Sequence, residues 1–326
     1  MLDDLKFNSL LEPLQELKSC SICPRNCGAD RFSDKLGYCK SDSSFSISSI
    51  CIHKGEEPPI SGNKGICNVF FTNCNLQCLY CQNYQISNNK QNRFNEKLSL
   101  KQVITKIINI LDTGINSVGF VSPSHNIPQI KIIINTLKTL GLNPTIVFNS
   151  NAYDKIEVLK DMENLIDVYL PDFKYMDKTI AKQYSDVSDY PEVALNAIKE
   201  MFHQKGSTVK INKNGYAESG ILIRHLVIPG HIENSIAVLR KIAEEISTNV
   251  HISLMSQYYP TIKVSGHPVL SKTLTSQEYS KVVTEMERLD FFNGWIQELD
   301  SSKDYIPDFE NIYPFENKTT NTLSND

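Results

Sequence analysis

The chain has 326 residues, 40% of them hydrophobic, enough for one barrel-sized domain with a substantial core and a small appendage. A net charge of −4 and a pI near 6.0, with no lysine-rich or arginine-rich face, give no electrostatic reason to expect nucleic acid as a partner. No apolar run reaches the roughly 18 residues of a membrane span, and Met1-Leu2-Asp3-Asp4 opens no basic-then-apolar leader, so no membrane partner and a cytoplasmic location are expected.

Taken in order, Leu2, Leu5, Leu10, Leu11, Leu14 and Leu17 have a loose helical spacing, which predicts a short helix within residues 1–19. Cys20, Cys23, Cys27 and Cys39 follow in a stretch with too few apolar residues to fold by burial alone. Nine cysteines, an odd number and with no export signal, read as metal ligands in a reducing compartment rather than as disulfides. Residues 1–45 are therefore expected to form an extension braced by a second metal centre, zinc or iron–sulfur, saturated by its four thiolates. The rival reading makes them ordinary small residues of a packed lobe. Residues 46–65 form a connector rich in proline and glycine, His53 to Gly62. It either crosses the surface or covers a site with Glu56 and Glu57 facing inward.

From residue 66 onward, apolar runs at 66–71, 117–121, 145–149, 166–170, 221–228 and 250–255 alternate with amphipathic stretches. The latter lie near 98–111, 127–139, 154–163, 187–204, 233–246 and 275–289. Six strand–helix units with continuous apolar strands predict an α/β fold with a covered parallel sheet over residues 66–310. Barrel-type versions of that fold carry their sites at the carboxyl ends of the strands. Residues 208–219 predict a hairpin turning at Asn214-Gly215, and residues 311–326 a disordered tail.

The first strand runs into Cys74-Asn75-Leu76-Gln77-Cys78-Leu79-Tyr80-Cys81. One tight loop can aim three thiolates at one inorganic centre, and three ligands leave a metal position open for chemistry. A zinc loop would need a fourth ligand, for which His125 or Cys67 is at hand. The Cys-x3-Cys-x2-Cys run with Tyr80 before its last cysteine resembles the signature of the radical S-adenosylmethionine (SAM) superfamily.

That resemblance implies a partial (β/α)6 TIM-type barrel in which Cys74, Cys78 and Cys81 hold a 4Fe-4S cluster whose fourth iron is chelated by SAM. It implies reductive cleavage of SAM, a 5'-deoxyadenosyl radical and hydrogen abstraction from a substrate, with a reductant such as flavodoxin or ferredoxin. The Cys-rich extension and connector are similar to a subgroup resembling pyruvate formate-lyase activating enzyme, an oxidoreductase that activates a glycyl-radical enzyme. Radical modification of another peptide or a small metabolite is the alternative, and a non-catalytic iron–sulfur or zinc protein is the rival class.

The same resemblance assigns cofactor-binding candidates at the strand ends. Ser122-Pro123-Ser124-His125 stands where most of the superfamily carries Gly-Gly-Glu, so Ser122, Ser124 and His125 are the candidates for the SAM amino group, with helix capping by Ser124 as the plainer role. Asn149 and Asn151 follow the third strand, with a cap at Asn151 as the plain alternative. Asp172 and Lys174 match an Asp-x-Lys pattern beside SAM, or form a structural ion pair. Arg224 fits a carboxylate and Gln257 the adenosine, with Tyr80 completing the set.

Overall fold

The structure, a computed structural model, describes residues 10–90, 96–299, 306–311 and 313–315. The chain opens on a 3-10 helix, Glu12–Ser19; Leu2 and Leu5 of the predicted helix lie outside the described residues. After an irregular lobe come β1 (Phe45–His53), α1 (Pro58–Ser61), β2 (Ile66–Phe71), α2 (Tyr84–Ser87), β3 (Lys97–Leu98) and α3 (Leu100–Leu111). Then follow β4 (Ser117–Val121), α4 (Ile127–Thr139), β5 (Thr145–Ser150), α5 (Ile156–Asp161), β6 (Val168–Pro171), α6 (Lys178–Ser185) and α7 (Tyr190–Lys205). The chain continues through β7 (Lys210–Ile211), β8 (Ala217–Leu226), α8 (Ile232–Glu245), β9 (His251–Met255), α9 (Ser276–Arg288) and β10 (Gly294–Ile296).

Across the sheet the order is β10-β9-β8-β6-β5-β4-β2-β1-β3, with β7 paired to β8. From β2 to β10 each main strand is added beside the previous one and parallel to it. Such one-way winding curls a sheet toward a barrel, whereas a doubly wound sheet reverses its strand order. Antiparallel β1 lies on the free side of β2, and the sheet ends at β3 without closing. This is the expected α/β architecture, a partial barrel left open.

Burial explains the local choices. All six residues of β2 are buried, as a strand covered on both faces requires. Leu100, Val103, Ile104 and Ile107 of α3 form one apolar stripe, and a Ser99–Gln102 capping box starts that helix. Burying each of Val103, Ile104 and Ile107 contributes about 1.5–3 kcal/mol. The hairpin forms where expected: Lys210 pairs with Ser219, Ile211 with Ala217, and Gly215 N donates to Asn212 O at 2.9 Å. Among the described residues no helix is long and apolar enough to cross a membrane.

Several features depart from the sequence expectation. The connector begins as a nine-residue strand, β1. A seventh parallel strand, β10, follows the six that were predicted. In the expected tail, Phe315 packs on Phe70 and, at 4.1 Å between ring centroids, on His53, while Phe309 also meets Phe70. Residues 312 and 316–326 of that tail lie outside the described residues.

Candidate active site at the carboxyl ends of the strands

Beyond β2 the chain turns at Asn73, whose φ is +66°, into the loop of Cys74, Cys78 and Cys81. Each sulfur receives a hydrogen-bond donor. Leu76 N and the Asn151 amide approach Cys74 Sγ at 3.4 and 3.6 Å, Ser185 Oγ reaches Cys78 Sγ at 3.0 Å, and Ser87 Oγ reaches Cys81 Sγ at 3.3 Å. Burial pushes the Cys74 thiol up to about 12 and the Cys78 thiol to about 11, the latter against the pull of Lys174. Bare thiolates are disfavoured there, whereas an iron-bound sulfur is deprotonated outright and gains from those donors. The donor set therefore fits a metal cluster.

Neither candidate for a fourth ligand is in place. Cys67 is fully buried within β2. The His125 ring is tied to Thr72 O at 2.9 Å through Nε2, and burial lowers its pKa to about 4. Among the described residues no three His, Cys, Asp or Glu side chains converge on a single-ion site. A cluster attaches its ligands to separate irons, so its thiolates stand further apart than those around one zinc.

A cavity of about 390 Å³ opens beside the loop, lined by Cys78, Tyr80 and Cys81 on one side and by Glu56, Asn149, Asp172, Lys174 and Arg224 on the other. Arg224, on β8, organises this wall. Its guanidinium donates to Asp172 Oδ1 at 2.9 Å, to Glu56 Oε2 at 3.1 Å and to Asn149 Oδ1 at 2.5 Å, while Lys174 Nζ reaches Asp172 Oδ2 at 2.7 Å. Burial alone would raise the Asp172 carboxyl, but Arg224 and Lys174 outweigh it and hold the group below its ordinary value. Glu57 is the opposite case: burial raises its pKa, and its Oε2 is buried with no hydrogen-bond partner.

Of the sequence candidates, Ser122 lines the cavity in a left-handed conformation, φ +48°, and Gln257 lines it while its side chain accepts from Gln297 Nε2 at 2.9 Å. Tyr80 begins a buried hydroxyl chain through Tyr175 and Ser185 to Cys78, with steps of 2.6, 2.7 and 3.0 Å. Three candidates stand outside the cavity wall. Asn151 turns under the cysteine loop and donates to Asn75 Oδ1 at 2.8 Å. Ser124 is buried at 1% exposure but caps nothing, since α4 starts at Ile127 with Asn126 preceding it. His125 serves as a docking point, its carbonyl accepting from Arg31 Nη1 at 2.6 Å. Asn151 caps no helix either, because Lys155 precedes α5. Sequence reading missed Asn68, whose amide donates to Glu56 Oε1 at 2.9 Å from inside β2, where a polar residue in an apolar strand was the available signal.

An open parallel α/β barrel with a three-thiol loop at its first strand end defines a cluster-bearing barrel protein. The family model "Radical SAM superfamily" matches residues 68–242, more than half of the chain, and the chain belongs to that superfamily. Membership implies a 4Fe-4S cluster and SAM. The uncharacterized protein MJ0674 of Methanocaldococcus jannaschii is 28% identical over 280 residues, covering 83% of this chain and 75% of that protein. A domain of pyruvate-formate lyase-activating enzyme from Bacteroides vulgatus is 15% identical with a TM-score of 0.38, over 53% of this chain and 93% of that one. SuiB of Streptococcus suis, bound to precursor peptide SuiA, is 14% identical with a TM-score of 0.48 over 73% of this chain; the match spans 50% of SuiB.

Proposed function

We propose that this chain cleaves SAM reductively and directs the resulting radical at a hydrogen atom of a substrate held in the 390 Å³ cavity. When bound at Cys74, Cys78 and Cys81, the cluster supplies the electron that breaks the sulfonium bond. The protein's own residues hold and orient. Arg224 spends its donors on Glu56, Asp172 and Asn149 and so fixes the two carboxylates of the cavity wall. The Glu57 oxygen without a partner suits a cationic group, an ammonium or a sulfonium. It takes the place of the acidic side chain absent from Ser122-Pro123-Ser124. In this reading residues 66–310 are the catalytic core, 46–65 bring Glu56 and Glu57 to the cavity, and 1–45 are a metal-binding extension.

The observation that carries the reading is the hydrogen-bond donor at every sulfur of a loop that opens into a charged cavity. Anaerobically reconstituted, reduced protein is expected to release 5'-deoxyadenosine and methionine, and Cys78→Ala to lose that activity entirely. Cleavage by a fully reconstituted Cys78→Ala protein would refute the ligand assignment.

The cavity lies near the small end of the range for small-molecule sites, about 300–1,000 Å³. A nucleoside-bearing cofactor would fill most of a cavity of that size, so the substrate would present only a small group to it, which favours activation of a glycyl-radical enzyme with a flavodoxin or ferredoxin as reductant. A radical signal appearing on a co-incubated glycyl-radical enzyme would support this. Deoxyadenosine release with no protein radical would point to another peptide or a small metabolite.

A further inference from the structure

The barrel site uses three of nine cysteines, and four others sit in a lobe with almost no core. Its buried cluster is Leu17, Cys20 and Ile22, with Leu14 packed against them. Beyond Ser19 the lobe consists of one β-bridge, Cys20 to Ala29, and turns such as Asn26 N to Cys23 O at 3.1 Å and Lys40 N to Gly37 O at 3.1 Å. The four thiols nonetheless gather. Cys20, Cys27 and Cys39 all lie within Coulombic reach of Cys23. Gly37 sits so close to Cys27 that a Cβ there would meet Cys27 Sγ at 2.4 Å. Cys20, Cys23 and Cys39 are buried, Cys27 is exposed, and all four are free thiols.

We infer that Cys20, Cys23, Cys27 and Cys39 hold a second iron–sulfur cluster, closed by four protein ligands, that exchanges electrons with the Cys74–Cys81 centre. Zinc would draw its sulfurs to about 2.3 Å from one point. Among the described residues no three such side chains converge that way, in this lobe or in the barrel loop whose family cofactor is a cluster. Burial alone cannot order so small a lobe, and ligand binding supplies the missing folding free energy.

Placement gives this cluster its role. Arg25, two residues after Cys23, donates from Nε to Asn75 O at 3.0 Å, beside Cys74, and lies 3.7 Å over the Tyr38 ring. Tyr38 O, next to Cys39, accepts from Asn89 Nδ2 at 3.0 Å, and that amide also donates to Cys74 O at 2.9 Å. Two hydrogen-bonded paths thus join the cysteine sets, while Cys27 faces solvent. One electron enters from a one-electron carrier protein on the Cys27 side, reduces this cluster, and leaves it for the barrel centre, with no bond made or broken.

The relay depends on the proposed radical SAM reading, whereas occupancy of the lobe is tested apart from it. A Cys74→Ala, Cys78→Ala, Cys81→Ala triple variant, reconstituted anaerobically, is expected to keep about four irons and four sulfides per chain and a reduced paramagnetic signal that SAM does not alter. Zinc without sulfide, or a folded variant with no metal, would overturn the assignment. Should the triple variant fail to fold, the wild-type chain decides: about eight irons per chain supports the second cluster and about four refutes it. For the relay, the wild-type chain mixed rapidly with reduced flavodoxin is expected to show the paramagnetic signal that SAM does not alter rising before the signal that SAM alters. The reverse order, or reduction of the SAM-responsive cluster alone, would refute electron transfer through the lobe.

Discussion

Arg224 balances Asp172, Glu56 and Glu57 from a position with its side chain only 12% exposed. Removing one partner of a buried ionic group costs about 3–5 kcal/mol because the others are left uncompensated. Arg224→Leu is therefore expected to lower unfolding free energy in urea by about that amount, and a loss under about 1 kcal/mol would show the network to be well hydrated. Glu57 points the other way. Its pKa is raised above the unfolded value, so its favourable contribution is complete below about 4.5 and is lost as pH rises through the folded pKa. Glu57→Gln should raise stability at pH 7 by about 1 kcal/mol, with the gain vanishing near pH 4 in thermal unfolding. The placement of Asn149, Asp172, Lys174 and Arg224 on the cavity wall was legible because strand ends point there. That His125 and Asn151 stand outside that wall was not, because Arg31 and Asn75, residues far away in sequence, claim His125 O and the Asn151 side chain.

At the scale of elements, strands made mostly of apolar residues were readable, and β2 and β4 occupy the predicted spans. β10 escaped because three residues, Gly294–Ile296, carry no periodicity. β1 escaped because serines at alternate and adjacent positions look like loop, although its pairing with β2 runs from Ile47 to His53. α6 falls between the stretches assigned from the sequence; Asp177, which accepts from Thr179 N and Ile180 N, is its start signal. β10 also depends on its glycine. Gly294 has φ +123°, and a Cβ there would lie 1.9 Å from Ile252 O. Gly294→Ala should cost at least about 2 kcal/mol and detach β10 from β9. Because Trp295 is the single tryptophan and stacks on His251 at 5.9 Å, a red-shifted emission maximum would report that release, and an unchanged spectrum would contradict it.

Over the whole molecule, the N-terminal lobe is also joined to the barrel through a buried cation. Arg31, 1% exposed, donates to Asp42 O at 2.7 Å, His125 O at 2.6 Å and Asn126 Oδ1 at 3.3 Å. Arg31→Met would leave carbonyls buried and unpaired, costing about 2–4 kcal/mol, and should speed limited proteolysis within residues 20–44 before the barrel is cut. Uniform cleavage across both parts would instead mark them as one cooperative unit. The open sheet has a further consequence for behaviour in concentrated solution. An unclosed barrel leaves two free borders, where exposed backbone groups invite a strand from another molecule. Among the described residues one border is β3, two residues long and paired only with Phe45 and Ser46 of β1, and the other is β10, three residues long. The β10 border offers few free amides and carbonyls and makes a poor template, so strand addition from another molecule is directed to the stretch of β1 that β3 does not pair.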